Sequence, residues 1–117
     1  SIPRPSPDFA YFACAYDLAD GPVSLRVAPW PSYWSLSLYS AESDNFFVVD
    51  DRETNFDARI TLIRAGARAP EEGATTVVES PSRRGIALIR RLAPDVASHA
   101  AAVEAARGDI CMPMAPA

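Results

Sequence analysis

The pattern that most limits what this chain can become is the strict alternation in Tyr33 to Tyr39, YWSLSLY. Trp34, Leu36 and Leu38 fall on one side of an extended chain, and Tyr33, Ser35, Ser37 and Tyr39 on the other. A period of two with one apolar side is the mark of a strand in a sheet with one buried face. The tyrosines on the second side leave room for another layer. Phe46 to Val49 is a continuous apolar run, which predicts a strand covered on both sides. The polar residues Ser40 to Asn45 between the two runs predict the turn of a hairpin.

Short β-prone runs recur along the chain. Phe9 to Leu18 puts Phe12, Cys14, Tyr16 and Leu18 on one face, Asp20-Gly21-Pro22 supplies a turn, and Val23, Leu25 and Val27 then alternate with polar residues. These two runs predict a hairpin with each other. Pro29 and Pro31 end the second run around Trp30. Ile60 to Ala65 and Thr75 to Glu79 are further strands, separated by a polar loop containing Gly66, Pro70 and Gly73. Ile86 to Leu92 fits both a helical and a strand period, and its bounding Gly85 and Pro94 favour a short strand. After Pro94 the pattern becomes helical over 95–107: Asp95 suits an N-cap, Val96, Ala100 and Val103 recur at helical spacing, and Gly108 suits a left-handed stop. Residues 1–8, with three prolines, read as an extended lead-in, and 111–117 as an irregular tail unless Cys111 is tethered. The expectation is a single domain over 1–117, mainly β (α+β): an antiparallel β-sandwich or partly closed barrel of about seven strands with one C-terminal helix.

At 117 residues and 49% apolar composition, one domain has enough core to fold without metal or disulfide. A net charge of −4 argues against a nucleic-acid partner, which requires a basic face to release counterions. The basic residues are all Arg, a bias that fits genome composition better than anion chemistry, and Arg83, Arg84, Arg90 and Arg91 form their main cluster. No run approaches the roughly 20 apolar residues of a membrane helix. The chain opens at Ser1 with no methionine, as expected of a domain from which an upstream signal or anchor has been removed. Cys14 and Cys111 leave two readings open. A bridge would close most of the chain and, on the loop-entropy model, stabilise it by roughly 4–5 kcal/mol; unpaired, both would pack as small hydrophobes.

Residues with chemical potential are sparse. Asp51, Glu53, Asn55 and Asp57 have the spacing of early calcium-loop ligands, but the bend glycine and terminal bidentate Glu are missing, so a solvated loop is the better reading. His99 is the one histidine and sits in the predicted helix, which favours a surface role over catalysis. Zinc lacks a sufficient set of nitrogen and sulfur ligands. Asp17, Asp44, Asp50 and Asp51 offer carboxylates without a spacing that aims a pair into one cleft. The aromatic set Tyr11, Tyr16, Trp30, Tyr33, Trp34 and Tyr39 suits either a core or a binding surface with polar tips. Tyr33, Tyr39, Asp44, Asn45, Asp51 and Arg52 are therefore the ligand-binding candidates. Glycine-rich phosphate loops, nucleophile elbows and dinucleotide fingerprints are lacking, and no cofactor or metal is expected.

Read together, SPDFAYFACAYDLADGPVSLRV and YWSLSLYSAESDNFFVVDDR resemble a bacterial family, domain of unknown function 1254. The likeness rests on Pro7-Asp8 with Tyr11, Asp17-Leu18, Gly21-Pro22-Val23, and then Tyr33, Ser37, Leu38, Tyr39, Asn45 and Phe46. It extends more loosely through Arg52, Ser80-Pro81 and Ile89-Arg90. The resemblance implies a β-rich domain acting with a companion domain of the 1214 type. It also implies an amino-terminal membrane anchor, which would place the domain on the periplasmic face of the bacterial inner membrane and favour a Cys14–Cys111 bridge. It supplies no catalytic residues. The leading expectation is a noncatalytic binding or interaction module of the cell envelope; the alternative is a small carboxylate-dependent hydrolase or lyase using Asp44, Asp51 and Arg52.

Overall fold

The computed structural model describes residues 8–53, 58–74 and 76–114, so the lead-in before Asp8 and the residues after Met114 lie outside it. Its strands are β1 (Phe9–Asp17), β2 (Val23–Arg26), β3 (Trp34–Ser40), β4 (Asn45–Asp50), β5 (Arg59–Arg64), β6 (Val77–Ser80), β7 (Arg84–Leu92) and β8 (Ile110–Pro113), with helix α1 (Val96–Ala106) between the last two. Two four-stranded sheets, ordered β1-β7-β3-β4 and β6-β5-β2-β8, make a sandwich rather than a closed barrel. All pairings are antiparallel except the parallel β5–β6 pair.

Alternation builds the interior. Tyr16, Leu36, Leu38, Ala87 and Ile89 of the first sheet pack against Val23, Leu25, Ile60, Leu62 and Val78 of the second in one continuous core. The hairpin of Ser40 to Asn45 joins β3 to β4 as its composition predicts, with a bulge between Leu38 and Tyr39. The ambiguous segment near Ile86 is the long central strand β7, paired on both sides.

Several expectations are corrected. β1 and β2 do not form a hairpin: β1 pairs with β7, and β2 with β5 and β8. The Asp20-Gly21-Pro22 turn instead carries the chain from one sheet to the other, with Gly21 at φ 129°. Both runs bury one apolar face, and facing each other across a sandwich satisfies that demand as well as lying side by side. β4 is an edge strand covered mainly on one side, since Val49 is buried but Val48 is 57% exposed.

Helix α1 is capped by Asp95 as expected, in a reciprocal capping box with Ser98. Its packed face is not the predicted one. Val96 is 88% and Val103 53% exposed, while Ala102 packs against Ala10 and Ala93. Small side chains allow close approach at the end of the sheet, and that geometry overrides the valine spacing. The start of the predicted irregular tail is β8, tethered through a Cys14–Cys111 disulfide, and it brings the strands among the described residues to eight, in line with the expected count of about seven.

Candidate functional site

The first sheet has an outer face opposite the core. Its side chains follow from register: Tyr11 lies beside Arg90, Arg90 beside Ser35, and Ser35 beside Asp50. The next row is Ala13, Leu88, Ser37 and Val48, and the row beyond begins with Ala15, Ile86 and Tyr39. Among the described residues this surface is open toward β1 and β7, where Ile86 is 41% exposed and Ala13 and Ala15 face solvent, while Ser35 and Ser37 of β3 are buried. Helix α1 does not cover it, because Ala102 packs on Ala10, which belongs to the opposite phase of β1.

At one end of the face the Arg90 guanidinium lies 4.3 Å from the Phe9 ring centroid and 5.6 Å from that of Tyr11. Phe9 meets Tyr33 edge-on at 6.0 Å, completing an aromatic wall around the charge. The Arg90 Nε is buried without a hydrogen-bond partner. Among the described residues, no carboxylate forms an ion pair with Arg90, and the nearby Asp50 is bound by Arg52 instead, at 2.9 Å. Those hydrogen bonds from Arg52 hold the Asp50 carboxyl below its usual range.

The sequence candidates divide between two ends of β3, about 20 Å apart at the strand rise per residue. Tyr33, Asp51 and Arg52 occupy one end. Tyr33 supplies a carbonyl to the Leu92 amide, the Asp51 amide donates to the Trp34 carbonyl, and Arg52 projects with 80% of its side chain exposed. Tyr39, Asp44 and Asn45 occupy the other end. Asp44 is exposed, and the Asn45 side-chain amide donates to the carbonyls of Leu38 at 3.1 Å and Phe47 at 3.2 Å, bracing the bulged turn.

The remaining candidates have identifiable partners or lie apart. Asp17 accepts hydrogen bonds from the Ala19 amide and from Arg84, which lower its pKa. The Tyr16 hydroxyl is buried against Ser80 Oγ at 2.8 Å, and burial pushes its pKa up. Trp30 donates from Nε1 to the Leu92 carbonyl, and Trp34 is core. Asn55 and Asp57 of the calcium-like spacing lie outside the described residues. Among the described residues no cluster of three or more His, Cys, Asp or Glu could hold a metal.

Sequence reasoning missed an interior ion pair. Arg91 is wholly buried and donates to both Asp109 oxygens, at 2.8 and 2.5 Å, and to the Ala28 carbonyl at 3.2 Å. The Ala28 amide donates to the same carboxylate at 2.7 Å. The signal was present: Arg91 shares its alternation phase with Ala87 and Ile89, so once β7 is a strand its charge must point inward. Beside this pair a cleft of about 380 Å³ opens between the sheets along the β1 and β8 edges. Phe12, Leu25, Leu36, Ile89 and Met112 are among its walls, and the Cys14–Cys111 disulfide crosses its lip.

A family sequence model described as "Protein of unknown function (DUF1254)" matches residues 1–113. The crystal structure of the VPA0106 protein from Vibrio parahaemolyticus, a structural genomics target, is similar in fold, with a TM-score of 0.79 at 15% identity. The similarity covers 92% of this chain and 28% of the Vibrio chain. No curated protein matches the sequence.

Proposed function

We propose, from the premise that the chain belongs to the DUF1254 family of proteins of unknown function, that it is a noncatalytic interaction module docking a companion domain on its open sheet face. The observation that carries this reading is the outer face of β1-β7-β3-β4, with its apolar Leu88, Ile86 and Val48 and with Arg90 set in aromatic rings and, among the described residues, lacking a carboxylate partner. A surface that covers it gains the burial of Leu88, Ile86 and Val48, and satisfies the guanidinium by bringing its own carboxylate. The occupant is a domain of the 1214 type. The similar Vibrio fold occupies 28% of a longer chain, which supports a module built to work beside other structure.

The bacterial envelope is the proposed location, on the periplasmic face of the inner membrane, reached through an anchor outside this sequence. The disulfide supports an oxidising compartment. No described helix is long and apolar enough to cross a membrane. The hydrolase or lyase alternative requires Asp44, Asp51 and Arg52 in one cleft, whereas Asp44 lies at the opposite end of β3 from the other two.

Co-expression with the companion domain tests the reading. Leu88→Glu and Arg90→Met each act on the outer face while leaving the interior unchanged. The expected result is a loss of at least tenfold in affinity with the thermal midpoint kept within a few degrees. Wild-type affinity in both variants would overturn the docking face.

A further inference from the structure

We propose that β4 is an open sheet edge that takes an extended segment of a partner protein, apolar at its centre and carrying Lys or Arg at both ends. Backbone hydrogen bonds hold such a segment, so the site does not depend on the side chains of the outer docking face.

Pairing fixes which backbone groups are free. In an antiparallel ladder the amide and carbonyl of one residue point to one side of the strand, and those of the next residue to the other. The Asp51 amide donates to the Trp34 carbonyl at 3.2 Å, and Val49 and Phe47 share that phase, opposite Leu36 and Leu38. Val48 therefore turns its amide and carbonyl away from β3, and Asp50 its amide. β4 is the last strand of its sheet, and among the described residues no further strand receives these groups. Its six residues, NFFVVD, hold no proline and no charge before the last, and its bulge is confined to the Tyr39–Asn45 end. Val48, in the regular part, is 57% exposed. An edge of this kind is a template for another strand. The other edges are occupied or short. β1 has α1 packed at Ala10 and is tied to β8 by the disulfide, while β6 and β8 have four residues each and β8 ends at Pro113.

Charge selects the occupant. Glu42 and Asp44 precede β4, Asp51 and Glu53 follow it, and all four are exposed. Arg52 is engaged by Asp50 at 2.9 Å, and among the described residues none of these four carboxylates forms an ion pair. Each end of the edge is thus net negative. A second copy laid antiparallel on β4 would bring its Glu42–Asp44 end against Asp51 and Glu53, setting like charges together at both ends. A segment with cationic ends meets opposite charge at both, while its apolar centre covers Val48.

Calorimetric titration of the intact, oxidised chain with a capped peptide, Lys-Arg-Thr-Val-Thr-Val-Thr-Arg-Lys, tests the assignment. It should bind at least tenfold tighter than the same peptide with Glu at its four terminal positions, and added salt should narrow that difference. Amide shifts in the nuclear magnetic resonance spectrum should centre on Val48 and Asp50. Val48→Pro removes an edge amide that β3 does not use, and should weaken binding at least tenfold. Should that variant fail to fold, proline in place of the central Val of the peptide tests the same hydrogen bonds on the wild-type chain. Asp44→Lys combined with Asp51→Lys should reverse the preference between the two peptides. Leu88→Glu, which disables the outer docking face, should leave peptide affinity unchanged, so the two readings fail separately. Absence of binding, equal affinity for the two peptides, shifts confined to β1 or β8, or a loss of affinity in Leu88→Glu overturns the site. A concentration-dependent dimer that Val48→Pro abolishes would give the edge to a second copy and overturn the basic partner.

Discussion

The residue with the greatest leverage on stability is Arg91, a full charge at 0% exposure held by Asp109. Burying both ions costs several kcal/mol, recovered only while each keeps its partner. Asp109→Ala leaves the guanidinium buried with one carbonyl, so it should lower the unfolding free energy by about 3–5 kcal/mol in urea titration. The carboxylates of Asp17 and Asp50, nearer the solvent, behave differently. Hydrogen bonds lower the pKa values of Asp17 and Asp50 in the folded state, to Ala19 and Arg84 in one case and Arg52 in the other. Folding therefore gains from their ionisation above the unfolded value, near 3.9, and loses that gain as pH falls through the depressed folded value. The urea midpoint should decline between about pH 5 and the acid limit, and Asp17→Asn with Asp50→Asn should flatten that decline. An unchanged slope in the double variant would assign the acid sensitivity to other groups. The buried charge is half legible in the sequence, because Arg91 occupies an inward phase of its strand. Its partner is not, since Asp109 reaches it from beyond the helix.

At the scale of elements, alternation identifies buried faces well and neighbours poorly. Trp34, Leu36 and Leu38 are core as their spacing demands, and the β3–β4 turn is written in Ser40 to Asn45. The false β1–β2 hairpin arose because a sharp turn between two amphipathic strands serves equally to fold one over the other. The helix shows a different limit: Asp95 predicts its start through local chemistry, whereas Ala102 is buried by the position of Ala10 in a distant strand. Asp95→Ala should cost about 1 kcal/mol, read by thermal unfolding, because the Ser98 amide loses its acceptor. Gly85 marks a tighter constraint in β7. A methyl group there would overlap the Tyr39 carbonyl oxygen and the Tyr16 hydroxyl. Gly85→Ala should therefore destabilise the chain by about 1–3 kcal/mol despite adding only one carbon, with the loss visible in chemical denaturation.

For the whole molecule, the two sheets meet along one open side at the edges of β1 and β8. Across that side Cys14 and Cys111 join positions 97 residues apart, so the covalent link restricts nearly the entire unfolded chain. The same link spans the lip of the cleft between the sheets. The reach of the loop can be read from the cysteine positions, but the place of the bridge at the cleft lip cannot, because it depends on β8 adding to β2 rather than to any strand near Cys14 in sequence. Replacing both cysteines by serine removes the loop constraint and should lower stability by roughly 4–5 kcal/mol on the entropy model. Hydrogen exchange distinguishes this from general loosening. In the double variant the amides of β8 should lose protection first, since β8 has a single strand partner, while the central β3–β7 pairing retains protection nearest to the global limit. A uniform loss across both sheets would mean that the disulfide supports the sandwich through its interior packing and not by holding its open edge.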